Sequence, residues 1–156
     1  MKEQSPFTHI LVPTDGSESS IKAGRLAIQI AVTHDTLLTF VYVVDSIAAE
    51  NMAKSTGSAL EDVYRELEIK GQRYLEYLPS LARNRGLQTH QVIRRGIPHR
   101  EIAQLARERH VDLIVMGHVV RRGALRLHSS SLSERLVEND ATPCPVLIVR
   151  HILSKR

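Results

Sequence analysis

Five short strand-like runs, four of them apolar and the third more polar, each set apart by longer stretches with helical spacing, constrain this 156-residue chain more than any other feature. The runs are Thr8–Pro13, Leu37–Val44, Gln88–Arg94, Leu113–Met116 and Pro145–Val149. Phe40-Val-Tyr-Val-Val44 shows their character: β-branched and aromatic residues that suit a pleated, buried strand. Between the first two runs, Ile21, Gly24, Ala27, Ile28 and Ala31 recur at spacings of three and four, which predicts an amphipathic helix over Glu18–Thr33. From about Leu60, a second stripe runs through Val63, Tyr64, Leu67, Gly71, Tyr74, Leu75 and Leu78. Pro79 is expected to kink or split that helix, and Gly86 to end its continuation. A third helix starts near Pro98 and buries Ile102, Leu105 and Ala106, and a fourth covers Leu132–Asn139. Asp45–Gly57, with Ser, Asn, Thr and Gly interleaved, reads as a loop. Gln88–Arg94 alternates too weakly for a fully buried strand and reads as a sheet edge. Strands alternating with helices imply an α/β fold: a mostly parallel sheet with helices on both faces, in one domain spanning residues 1–156.

Composition narrows the setting. No apolar run approaches a membrane span, and Met1-Lys-Glu-Gln-Ser-Pro carries no apolar signal segment, so a cytoplasmic location is expected. The single cysteine, Cys144, excludes an internal disulfide and agrees with a reducing compartment. Set between Pro143 and Pro145, it reads as a buried, inert thiol. The net charge of +4 comes with arginine clusters at Arg83/Arg85, Arg94/Arg95 and Arg121/Arg122/Arg126. Only 4% of residues are aromatic and tryptophan is absent. Single-strand nucleic-acid binding needs stacking platforms, so these clusters read as a solvated basic surface.

The segment Leu113–Arg135 carries the most chemistry. Leu-Ile-Val-Met116 is a buried strand, and Gly117 is expected to end it. A loop with Arg121, Arg122, Gly123 and Arg126 follows, then Ser129-Ser130-Ser131 at the start of a helix. Ser131 and Glu134 have capping-box spacing. In open parallel sheets, ligands bind beyond the carboxyl ends of the strands where the strand order reverses. If the first and fourth strands flank that point, the Pro13–Ser17 turn faces the Gly117–Ser131 loop. One side then offers the Asp15 carboxylate, the other backbone N–H groups, hydroxyls and arginines, a pairing suited to a phosphorylated ligand with a sugar.

These residues together resemble the universal stress protein family over almost the whole chain. The resemblance rests on Ile10-Leu-Val-Pro-Thr-Asp-Gly-Ser17, Tyr42-Val-Val-Asp45, Gly96-Ile-Pro98, Val111-Asp-Leu-Ile-Val-Met-Gly117, Ser131-Leu-Ser-Glu-Arg135 and Cys144-Pro-Val-Leu-Ile-Val149. It implies a five-stranded parallel sheet of order 3-2-1-4-5, similar to that of the adenine-nucleotide alpha hydrolases. It also implies an adenine-nucleotide site for ATP or AMP, with Mg accompanying ATP. Pro13, Thr14 and Asp15 would lie near the ribose or the metal-bound phosphates, and Val43 on the adenine. Met116, Gly117, Ser130, Ser131 and Leu132 would line the phosphate side. The family commonly dimerises through its last strand, here Val146–Val149, and an apolar edge of that kind has a physical motive to pair.

The family's phosphate signature is glycine, two residues, glycine, nine residues, then glycine followed by Ser or Thr. Gly117 fills the first place, but Val120 and Ser130 stand in the second and third, with Ser131 following. Glycine admits left-handed backbone and close phosphate approach. A valine held in that conformation costs roughly 1–2 kcal/mol. Weakened triphosphate binding is therefore expected, with a nucleoside or monophosphate better tolerated. The chain has no Gly-Lys-Ser/Thr phosphate loop for rapid ATP hydrolysis, no Gly-x-Ser-x-Gly elbow, and no zinc spacing among its eight histidines. The expectation is a small dimeric stress-response regulatory or binding module with a weakened adenine-nucleotide site and no catalytic residues. The rivals are a nucleotide-independent signalling partner and a slow ATPase.

Overall fold

The computed structural model describes residues 4–120 and 131–152. Its elements are β1 (His9–Pro13), α1 (Glu18–His34), β2 (Leu37–Asp45), α2 (Ser46–Thr56), α3 (Leu60–Asn84), β3 (Thr89–Gly96), α4 (Pro98–Glu108), β4 (Leu113–Val120), α5 (Leu132–Glu138) and β5 (Val146–Ile152). The strands form one sheet of order β3-β2-β1-β4-β5 with every pairing parallel. The expected architecture and order hold, and β3 is an edge.

The sheet is buried on both faces, which is why its central strands read as continuous apolar runs instead of alternating ones. On one face, Ile10, Val12, Leu38, Phe40 and Val115 meet Ala23, Ala27 and Ala31 of α1 and Leu75, Leu78 and Ala82 of α3. On the other, Leu11, Val41, Ile114 and Met116 meet Ile102, Leu105 and Ala106 of α4 and Leu136 of α5. Phe40, Ile10, Leu11 and Ile114 are fully buried, and each such side chain contributes about 1.5–3 kcal/mol. At the amino end of the sheet, Asp112 ties β1 to β4. Its carboxylate accepts from Thr8 N–H (2.8 Å), Thr8 Oγ1–H (2.7 Å) and His9 N–H (3.2 Å).

Three local expectations need correction. The stretch Asp45–Gly57 is not a loop but holds α2. The Asp45 carboxylate caps it by accepting from the N–H groups of Ile47 (3.0 Å) and Ala48 (3.2 Å). Only Ala49 is buried along α2, while Ile47 and Met52 are exposed, so no apolar stripe marks the helix in the sequence. Pro79 does not split α3, which runs unbroken through it for 25 residues. Gly117 does not end β4: Gly117 pairs with Val149, His118 with Arg150, Val119 with His151 and Val120 with Ile152. Parallel pairing with an equally extended β5 carries the strand past the glycine. The backbone at Val120 is therefore that of a strand, and the left-handed strain expected there does not arise. Among the described residues, the non-glycine positions with positive φ are Asp35 and His110.

Candidate functional site

A cleft opens between β1 and β4. These two strands pair only through Ile10 with Leu113 and Leu11 with Ile114. Above that point β1 leans on β2 instead, with Thr14 N–H donating to Val41 C=O at 2.9 Å. The strand order reverses here, and the helices that follow the two strands in sequence, α1 and α5, pack on opposite faces of the sheet. The resulting cleft has a volume of about 200 Å³ and is lined by Pro13, Thr14, Asp15, Ser17, Ser19, Ser20, Val41, Tyr42, Val43, Pro98, Ile102, Met116, Gly117 and Leu132.

Its lining has two characters. Val41, Val43, Pro98, Ile102, Met116 and Leu132 give an apolar slot between the sheet and the starts of α4 and α5. Thr14, Ser17, Ser19 and Ser20 give a hydroxyl wall. That wall is internally bonded: Thr14 Oγ1 lies 3.3 Å from Ser20 Oγ, Ser20 Oγ donates to Ser17 C=O at 2.9 Å, and Ser17 Oγ lies 3.1 Å from Ser19 Oγ. Ser17 also caps α1, its hydroxyl accepting Ser20 N–H at 3.3 Å. Asp15 is exposed at the rim and turns the chain into the helix by accepting Ser17 N–H at 2.9 Å.

Two glycines shape this geometry. Gly16 sits at φ 79° with its open side against the Tyr74 ring, so a side chain would be both strained and blocked. Tyr74 in turn stacks edge-on with Tyr42 at 5.7 Å. The Asp15–Gly16 turn thus rests on two aromatic rings from α3 and β2. Burial, then the neighbouring Tyr74 and Asp15, push the Tyr42 phenol above its ordinary value, so it stays protonated. Gly117 is needed for closeness and not for a turn. A Cβ there would collide with the Ser19 backbone carbonyl, so its absence lets the start of α1 lie directly against β4.

Of the residues singled out from sequence, Pro13, Thr14, Asp15, Val43, Met116, Gly117 and Leu132 all line this cleft. Ser131 immediately precedes it and caps α5, accepting Glu134 N–H at 3.3 Å. Ser130 lies outside the described residues, as do Arg121, Arg122, Gly123, Arg126 and His128. Sequence reasoning did not single out Ser19, Ser20, Val41, Pro98 or Ile102 for the site. For Pro98 and Ile102 the signal was available, since both lie in the first turns of α4; Val41 lies mid-strand in β2, brought to the cleft by its pairing with Pro13, and in sequence it reads as any core valine. Sequence reasoning also missed a contact beside the cleft, where His118 Nδ1 lies 2.7 Å from the buried Ser133 Oγ.

A larger groove of about 760 Å³ runs between α4 and α5, lined by His99, Arg100, Gln104, Arg107, Arg135, Glu138, Asn139, Asp140 and Ala141. It is a shallow surface trough with charges of both signs, and no strand ends converge on it. Partial burial, then Arg100 and Arg135, hold the His99 imidazole below its ordinary value. Cys144 is half-buried, and burial pushes its thiol up to about 11, which fits an inert cysteine. Among the described residues no three His, Cys, Asp or Glu side chains gather as a metal site, and no helix is long and apolar enough to cross a membrane.

Comparison with known proteins agrees with this fold. The model of the universal stress protein family matches residues 6–150. The universal stress protein MJ0531 of Methanocaldococcus jannaschii is 32% identical over 145 residues, covering 92% of this chain and 82% of its own. Among solved structures, the hypothetical protein MJ0577 superposes with a TM-score of 0.79 at 22% identity, covering 96% of this chain and all of its own. A universal stress protein in complex with cAMP gives 0.60 at 25% identity, covering 94% and 98%. A family protein from Arabidopsis thaliana with AMP bound gives 0.62 at 20% identity, covering 92% and 91%. The chain belongs to the universal stress protein family.

Proposed function

We propose that this chain is a small, single-domain regulatory module of the cytoplasm that binds an adenine nucleotide of low phosphate count in the β1–β4 cleft, and that it works as a dimer joined through β5. The observation that carries the reading is the cleft itself: an apolar slot beside a hydroxyl wall, at the one place where the strand order reverses. A purine fits the slot formed by Val41, Val43, Ile102 and Met116. The ribose hydroxyls reach Thr14 and the Asp15 carboxylate at the rim, and the phosphate side runs toward Gly117, Ser131 and Leu132. That related proteins have been solved with AMP and with cAMP supports this ligand class.

The site is weak for a triphosphate. At about 200 Å³ the cleft is smaller than the roughly 300–1,000 Å³ of ordinary ligand pockets. Beyond Gly117 the chain continues as strand to Val120, with its backbone engaged on β5 rather than curled around phosphates. Any Mg would come with ATP and be shared between its phosphates and Asp15. Calorimetric titration with adenosine, AMP and ATP tests the reading. AMP is expected to bind at least as tightly as ATP, and Asp15→Ala to weaken both adenosine and AMP roughly tenfold through loss of charged hydrogen bonds to the ribose. No heat with any of the three at millimolar concentration overturns it. That outcome would favour a nucleotide-independent signalling partner, a reading supported by the same extension of β4 past Gly117.

A further inference from the structure

Tyr42 is the aromatic residue of the cleft lining. The pleat of β2 sends Val41 and Val43 to the α4 face of the sheet, where they belong to the apolar slot. Tyr42, between them, goes to the other face, the side of α1 and α3. Its ring is fixed there by two contacts. Gly71 of α3 lies so close that a Cβ would run into the ring, and Tyr74 meets it edge-on at 5.7 Å. Tyr74 also fills the open side of Gly16, so the Tyr42 ring and the Asp15–Gly16 turn share one support.

Two polar atoms at this edge have no task within the fold. The Tyr42 phenol makes no hydrogen bond to any described residue. Among the described residues no buried side-chain oxygen goes without a partner, so this one is open to solvent. The Asp15 carboxylate engages Ser17 N–H through Oδ1, and its Oδ2 accepts from no described residue. The carboxylate is near enough for its charge to help push the Tyr42 pKa up, which keeps the O–H in place as a donor. A donor and a charged acceptor, held near one another on a rigid support, suit a group that both accepts and donates. A sugar hydroxyl does both. A phosphate is an anion, and Asp15 repels it.

We propose that Tyr42 is a specificity-determining residue: its phenol O–H donates to a ribose hydroxyl that itself donates to Asp15 Oδ2, so that the cleft selects ribonucleotides over deoxyribonucleotides. This rests on the adenine-nucleotide reading of the cleft. The test is calorimetry with AMP, 2′-deoxy-AMP and 3′-deoxy-AMP on the unaltered protein, Tyr42→Phe and Tyr74→Phe, with folding checked by circular dichroism. Phenylalanine keeps each ring and its packing and removes only the hydroxyl.

Tyr42→Phe is expected to weaken AMP about fivefold, the effect of losing one neutral hydrogen bond. At least one of the two deoxynucleotides, the one lacking the hydroxyl that meets the phenol, is expected to bind Tyr42→Phe and the unaltered protein equally well. Tyr74 is not part of the cleft lining, so Tyr74→Phe is expected to leave all three ligands unchanged. AMP bound equally well by Tyr42→Phe overturns the proposal. So does a loss of the same size for all three nucleotides, the mark of a structural effect, or a loss as large in Tyr74→Phe as in Tyr42→Phe. In each of those cases AMP binding by the unaltered protein leaves the functional reading intact. Unaltered protein that binds no AMP overturns that reading, and this inference with it.

Discussion

His9 opens β1 at the amino end of the sheet, where its imidazole is almost fully buried. Nε2 lies 2.7 Å from Thr39 Oγ1 and Nδ1 lies 3.0 Å from the Arg109 carbonyl. Burial is the main cause that holds its pKa below the ordinary 6.5. The Arg109 carbonyl and Asp112 pull the other way, while His90 and the Arg109 guanidinium add to the lowering. The folded chain therefore binds fewer protons here than the unfolded chain. This contribution to stability is complete above about pH 6.5 and is lost as the pH falls from there through the lower folded-state value. Urea unfolding at pH 7 and pH 5 should show a smaller acid loss in His9→Gln than in the unaltered protein. Equal losses in both would show that His9 does not titrate in this way. Gly117 makes the opposite point about legibility. The sequence marks it as important, but the reason lies in three dimensions: the Ser19 carbonyl occupies the space a side chain would need. Gly117→Ala should cost about 1–3 kcal/mol through overpacking, measured as a lower urea midpoint. An unchanged midpoint would mean that α1 can shift away freely.

At the level of elements, the sheet and its four amphipathic helices were legible because each buries a continuous set of apolar side chains, and burial leaves a period in the sequence. Helix α2 was not. It hides little more than Ala49, which joins Val44 and Val63 in a small cluster with Ala53, Tyr64 and Leu67, and a helix with one buried residue leaves no stripe. The length of β4 was hidden for a related reason, since His118 and Val119 continue the strand by pairing with β5, and pairing is not a property of one segment alone. The start of α3, against which α2 packs, is held in part by Arg95 at the end of β3. Its guanidinium donates to both oxygens of Glu61 (3.1 and 3.0 Å) and to Glu68, and lies 4.6 Å from the centre of the Tyr64 ring. Arg95 holds the Glu61 carboxyl below the usual range, so the clasp is present above that range and loosens as acid protonates Glu61. These groups are solvent-exposed, and exposed ion pairs contribute little to global stability. The effect of Arg95→Ala should accordingly be local. Amide exchange is expected to quicken in α2 and the first turns of α3 and to stay unchanged in β1 and β4. Uniform quickening would mean that the clasp supports the whole fold.

The whole molecule presents two sheet edges, and they differ in chemistry. The β3 edge carries His90, Gln91, Arg94 and Arg95, with Arg94 bonded to Glu108 at 2.5 Å. Charge along an open edge discourages another strand from pairing there. The β5 edge reads Val146-Leu-Ile-Val-Arg-His-Ile152, with Leu147, Ile148 and Ile152 substantially exposed. Its charged groups, Arg150 and His151, lie toward the carboxyl end, with His151 Nε2 3.5 Å from Glu18. An apolar edge strand left bare would recruit other chains indiscriminately, whereas pairing with a second copy satisfies its backbone groups and covers its side chains in a closed two-fold arrangement. The proposed dimer therefore places β5 at its centre and leaves the β1–β4 cleft, one strand further in, close to the joint between copies. Sedimentation equilibrium should show a dimer for the unaltered protein and a monomer for Leu147→Lys, with far-ultraviolet circular dichroism unchanged. Placing a lysine at Gln91 on the β3 edge is the matched control and should leave the dimer intact. A monomeric unaltered protein, or a dimer lost through the β3 change and kept through the β5 change, would move the interface away from this edge.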